Sequence, residues 1–228
     1  LPKQEKLMQA QQKKIRGFSL LEVLVVLAIV GIISAIAIPN FSSMSKDRKV
    51  RIEAERIKDL IVGINSQVQR GSYGFGQFVV ETNDSGKHSF STNGMLTTKL
   101  AQNIGVPGWH SSSSRCEVEE SSSNKFDHYG KSGTNPEVRH FETDEVNISI
   151  SNGAVCFSKD GTYFSKSGDL DDENLLYVCS KNIDDCPTYP LTTDPKRKNY
   201  IIFEINWTRF GNVKLEKYNV NNEGWAIQ

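Results

Sequence analysis

Residues 18–38 read FSLLEVLVVLAIVGIISAIAI, 21 positions at which Glu22 is the single charged side chain. At about 1.5 Å of rise per residue, a helix of that length spans roughly 32 Å, the thickness of a bilayer's hydrocarbon layer. No later stretch of the 228 residues is comparable. The preceding segment, LPKQEKLMQAQQKKIRG, carries Lys3, Lys6, Lys13, Lys14 and Arg16 against Glu5. With basic residues flanking its N-terminal end, the apolar rod is expected to leave the leader in the cytoplasm and to export the chain beyond Ile38.

Three readings compete for this rod. A plain anchor helix accounts for the length and the basic flank but leaves Glu22 unexplained. A cleaved secretory signal fits the 11 apolar residues 23–33 and a fair cleavage site at Ala35-Ile36-Ala37. The third reading starts from the carboxylate. A charge near the centre of a membrane helix costs about 2.5–3.5 kcal/mol on insertion scales and usually marks a function with a partner. Glu22 lies toward the cytoplasmic end, where the cost is smaller, and four residues after Phe18. A cut between Gly17 and Phe18 would create an α-amine one helical turn away, able to neutralise the carboxylate within one chain or between packed neighbours. Such a pair is better defended as a register device than as a large stabiliser.

Arg16-Gly17 followed by Phe18-Ser19-Leu20-Leu21-Glu22-Val23-Leu24-Val25-Val26-Leu27-Ala28-Ile29 resembles the class III signal of type IV prepilins and type II secretion pseudopilins. The resemblance covers about residues 14–40, with Pro39 where that family commonly has a helix-bending proline. It implies cleavage after Gly17 by a membrane aspartyl prepilin peptidase and N-methylation of Phe18. It also implies a role for Glu22 in methylation and in assembly with other pilins. The implied leader of 17 residues is longer than in many type IVa prepilins. Its removal takes away five positive charges and one negative charge, leaving 27 − 5 = 22 basic against 27 − 1 = 26 acidic residues. A net charge of about −4 leans away from non-specific affinity for DNA.

Beyond Pro39 the pattern stays helical and turns amphipathic. Val50, Ala54, Ile57, Ile61, Ile64 and Val68 recur at intervals of 4, 3, 4, 3 and 4, and charges from Lys46 to Lys58 fill the other positions. Gly71 supplies a stop. One kinked helix over residues 18–70 would be roughly 80 Å long. Its first half, apolar all round, would pack among neighbours or lipid, and its second half against its own domain. A coiled-coil stalk is the alternative, although the stripe lasts only about three heptads.

After Gly71 the texture is strand and turn. Residues 77–82 and 88–92 flank Asn83-Asp84-Ser85-Gly86-Lys87 as a hairpin, residues 95–103 read as a short helix, and 111–127 as an exposed Ser-rich loop. Strands at 147–150, 154–158 and 162–165 are expected to join through Asn152-Gly153 and Asp160-Gly161. A further strand covers 175–179, and 200–208 with 213–220 form a hairpin around Phe210-Gly211-Asn212. The expected fold is α+β and pilin-like. Residues 1–17 form a leader and 18–70 a long helix with a membrane half, while 71–228 form a sandwich-like antiparallel head of about seven strands.

The late hairpin, Ile201-Ile202-Phe203-Glu204-Ile205 and Arg209-Phe210-Gly211-Asn212-Val213-Lys214-Leu215, ending near Trp225, resembles the C-terminal strands of GspH/FimT-type minor pilins. That family often has Gly-Arg at the turn, and in relatives that take up DNA basic residues at that end make the contact. Asn212 stands in that place here, and the head's basic cluster is Lys196-Arg197-Lys198, so a DNA partner is not expected.

Little else points to chemistry. Four cysteines in an exported domain imply disulfides. Cys179 and Cys186 enclose a short loop and are the preferred pair, leaving Cys116 with Cys156, although three connectivities are possible. A zinc site lacks CxxC spacing and nearby histidines. Asp169, Asp171, Asp172 and Glu173 form an acidic run that is a weak Ca²⁺ candidate, as in the C-terminal loops of some major pseudopilins, but it lacks the Gly at the sixth position of an EF-hand loop. Gly130-Lys131-Ser132 is not a phosphate loop, because Lys125 stands where the first Gly belongs. His88, His110, His128 and His140 are scattered and read as surface or loop histidines. No cofactor is indicated. The chain reads as a non-enzymatic minor pilin or pseudopilin of the bacterial inner membrane, with its N-terminus cytoplasmic and its head periplasmic. The alternatives are a DNA-binding competence pilin and a periplasmic domain merely tethered by its anchor.

Overall fold

The computed structural model describes residues 19–105, 113–116, 126, 138–170, 174–181, 186, 201–219 and 224–228, with residues 36–40, 113 and 114 described by backbone alone. The chain divides into two compact units, Leu1–Met44 and Ser45–Gln228. Helix α1 (Leu20–Arg70) contributes to both.

Within the second unit, the apolar stripe read from the sequence is the buried face of α1. Val50, Ala54, Ile57, Ile61, Ile64 and Val68 are all buried, and Leu60 joins them. The coiled-coil alternative is set aside by this burial, because the stripe lies inside the head's own core. The helix stops in a Schellman arrangement: Gly71 N–H donates to Val68 O at 3.1 Å and Ser72 N–H to Gln67 O at 3.0 Å. Carbonyls that have no partner at a helix end are satisfied in this way.

The head is built from β1 (Phe75–Thr82), β2 (His88–Met95), α2 (Thr97–Ile104), β3 (His140–Thr143), β4 (Val146–Ile148), β5 (Asn152–Ser158), β6 (Ser165–Gly168), β7 (Leu175–Ser180), β8 (Ile202–Trp207), β9 (Val213–Asn219) and β10 (Gly224–Ile227). The strands form two five-stranded sheets, β3-β2-β1-β5-β6 and β10-β9-β8-β7-β4. Every pairing is antiparallel. Alternate residues of each strand point inward (Phe78, Val80, Phe90, Val155 and Phe157 from the first sheet; Val178, Phe203, Ile205, Trp207 and Leu215 from the second) and meet the helix stripe in one core. Gly76 lets α1 approach β1, since a Cβ there would lie 2.7 Å from Ile64 and 2.8 Å from Val68. The fold is an α+β, pilin-like helix packed on an antiparallel head.

Among the described residues, Leu100, Cys116 and Phe126 pack on the outer face of the first sheet and Cys186 on that of the second, and a disulfide ties each sheet to this layer. Cys156 on β5 bonds to Cys116 in a 3₁₀ turn, and Cys179 on β7 bonds to Cys186. On the first sheet a buried polar chain runs beneath it. Asn93 donates to Gln77 Oε1 at 2.7 Å, while Gln77 (3.2 Å) and Ser167 (2.8 Å) both donate to the Cys116 carbonyl. Buried polar groups need such partners, so the chain fixes where that turn sits.

Two turn expectations are corrected. Asn152-Gly153 does not close a hairpin, because β4 belongs to the second sheet and β5 to the first. The Asp169 carboxylate accepts N–H bonds from Ser151 (2.8 Å) and Asn152 (3.0 Å), fixing the bend as a crossing between sheets. The strand expected over 162–165 starts only at Ser165. The three residues before it are spent on the turn, in which Asp160 accepts from Thr162 N–H and Phe164 N–H donates to Gly161 O. Ten strands stand among the described residues against about seven expected, with β3 and β10 unforeseen.

Candidate functional site

The apolar rod is described from Ser19, whose carbonyl accepts the N–H of Val23 at 3.2 Å. Glu22 falls in the first turn of α1, where the partial positive charge of a helix N-terminus favours a carboxylate. Around it the large apolar side chains are exposed, from Leu20 (78 %) and Leu21 (73 %) through Ile33 (60 %). Burying one such side chain fully is worth about 1.5–3 kcal/mol, so this surface represents on the order of 20 kcal/mol to be gained in lipid or against other chains. Among the described residues no helix is long and apolar enough to cross a membrane. The rod's side chains are described over residues 19–35, whereas the apolar run in the sequence is 18–38.

Gly17 and Phe18 lie outside the described residues. Pro39 lies within the span of α1 and is described by backbone alone. Asp171 and Asp172, the basic cluster 196–198, the 130–132 segment, His110 and His128 are also outside. Asp169, the described member of the calcium candidate, is occupied as an acceptor for the turn before β5. Among the described residues no three His, Cys, Asp or Glu side chains gather to hold a metal ion.

Two titratable side chains of the head were misplaced or missed in the sequence. His88 is a buried strand residue, 7 % exposed, not a surface histidine. Its Nδ1 shares a hydrogen bond with Thr82 Oγ1 at 2.9 Å. Burial lowers its pKa, the polar groups of Asn147 and Val146 offset part of that, and the charge on Lys181 adds to it. Glu204 on β8 is 8 % exposed. Burial chiefly raises its pKa, with a smaller push from the Glu216 charge. A signal was present in the second case, since Glu204 interrupts the apolar positions of 201–205.

Two open cavities lie at the surface of the described residues. One of about 410 Å³ is lined by Arg56, Asp59, Leu60, Val138, Arg139, His140 and Phe141, with the Arg56 guanidinium 4.3 Å from the Phe141 ring centre and bonded to Glu53. The other, about 600 Å³, is lined by Ser85, Gly86, Lys87, Asp144, Asn147 and Lys181. Its lysines are already matched, Lys87 by Glu142 and Lys181 by Asp144. Neither cavity sets a nucleophile beside a base.

The chemistry of the described residues therefore points back to the rod. Residues 12–38 match the model of the prokaryotic N-terminal methylation motif. No curated protein and no solved structure matches the chain. The match is confined to this signal, and a helix packed on an antiparallel head is consistent with a pilin-like fold behind it.

Proposed function

We propose that this chain is a structural subunit of a type IV pilus-like or type II secretion filament, cut after Gly17 and N-methylated at Phe18. The observation that carries the reading is the match to the methylation motif over residues 12–38, centred on a run whose only charge is Glu22. Residues 18–38 hold the precursor in the inner membrane, with the leader cytoplasmic and the head periplasmic, and then pack against other subunits. Glu22 answers the freed amine of Phe18. The family is structural rather than catalytic, and the prepilin peptidase and fellow pilins are the partners its signal implies. A head of the length of residues 71–228, with long loop segments in its sequence, favours a minor subunit of the GspH/FimT type. This last step is analogy.

Mass spectrometry of the mature N-terminus tests it. In cells with a prepilin peptidase, we expect a chain beginning at N-methyl-Phe18. A chain beginning at Ile38, the outcome of secretory cleavage, would overturn the proposal.

A further inference from the structure

On the outer face of the second sheet, one row of side chains runs straight across four strands. Tyr177 on β7 pairs with Glu204 on β8, Glu204 with Glu216 on β9, and Glu216 with Ile227 on β10. Two carboxylates thus stand directly opposite each other, a placement that is destabilising when both are ionised. They differ in surroundings. Glu216 holds Lys214 at 2.9 Å, whereas Glu204 is 8 % exposed and has the Asn206 amide at 3.5 Å.

Aromatic rings explain that burial. Tyr177 and Trp225 stack with centroids 5.8 Å apart, although β8 and β9 lie between their strands, and Tyr218 meets Trp225 edge-on at 5.2 Å. Three strand spacings are roughly 14 Å, so the rings must lean over the side chains between them. The Cys179–Cys186 bond belongs to the same cluster.

We propose that Glu204 and Glu216 form a proton-operated latch on the C-terminal strands: one proton taken up by Glu204 closes β8 on β9 and tightens the head as the medium acidifies. Among the described residues, the groups that face Glu204 are Tyr177 from β7, Asn206 from β8 itself, and Glu216 and Lys214 from β9. Lys214 is the single cation among them, and it is engaged with Glu216. With Glu204 ionised, a buried charge faces a like charge. With Glu204 protonated, the repulsion disappears and the carboxyl gains a donor for its neighbour. The sign is set by the raised pKa of Glu204 in the fold. The stabilisation is complete below the unfolded value and is lost as pH rises through the folded one.

Thermal unfolding of wild type, Glu204→Gln and Glu216→Gln from pH 4 to pH 8 reads the latch, with carboxyl ¹³C shifts reporting the titration directly. Gln at 204 mimics the protonated state. Its melting temperature is expected to exceed wild type by roughly 2–4 °C at pH 8, and the gap to close toward pH 4. Glu216→Gln, which removes the like charge, should lower the Glu204 titration midpoint. Taking wild type against variant at each pH cancels the contribution of titrating groups that are not coupled to Glu204. Parallel melting curves for wild type and Glu204→Gln, or a Glu204 midpoint at or below that of an exposed glutamate, would overturn the latch.

Discussion

His88 links the stability of the head to pH through a single buried ring. Its pKa is lowered by burial in β2, so between the folded value and the unfolded value near 6.5 the unfolded chain holds more protons. The stability that comes from keeping the ring neutral is therefore present above that range and is lost as pH falls through it. Glu204 works in the opposite direction. We expect His88→Gln to flatten the decline in melting temperature between pH 7 and pH 5. An unchanged decline would show that another group causes it. The sequence held no mark of this role, because burial depends on strands distant in the chain: His88 is opposite Thr143 in β3 and feels Lys181 just beyond β7. The place of Glu22 in the first turn of the helix was legible for the opposite reason, since it depends only on its immediate neighbours.

Among the elements, the β8–β9 hairpin ties the second sheet to the helix. Asn65 of α1 donates to Phe210 O at 3.1 Å, and Gln69 reaches Lys159 O of the β5–β6 turn at 3.2 Å. The same two helix turns thus clasp one turn from each sheet. Gly211 sits at φ +75°, and a Cβ there would fall 2.1 Å from Asn65 Cγ. Gly86 has a similar φ of +73° with open space around it. Substitution by Ala should cost about 1–2 kcal/mol at Gly86, from backbone conformation alone. At Gly211 we expect a larger loss, about 2–4 kcal/mol, because the contact with Asn65 is lost as well. Equal losses in urea unfolding would mean that the clasp contributes nothing. The periodic elements were readable: the helix stripe, the 83–87 turn and the last hairpin each carry a local pattern. Asn152-Gly153 misled because a turn dipeptide states that the chain bends, not which sheet receives it. The strand β3 escaped notice because its four residues, His140–Thr143, are too few to show a period.

For the whole molecule, function divides between two kinds of surface. The head satisfies itself: two sheets and the second half of α1 share a core, and a disulfide binds a further segment to each sheet. The rod does the reverse, leaving Leu20 through Ile33 exposed. An exposed apolar surface of this size marks an interaction site, and under the proposed function it meets lipid before assembly and other chains after it. The apolar character of the rod was legible from the amino-acid order, because a run broken only by Glu22 needs no tertiary context. The number and order of strands was not, because sheet order is decided by which faces find the helix stripe. The central claim is that Glu22 directs the rod into a filament. It is tested most directly by quantifying the incorporation of Glu22→Gln chains into sheared filaments beside wild-type subunits, with cleavage after Gly17 checked in parallel. The account predicts that cleavage persists while incorporation falls at least about tenfold, the factor that corresponds to 1.4 kcal/mol. Incorporation at the wild-type level would contradict it.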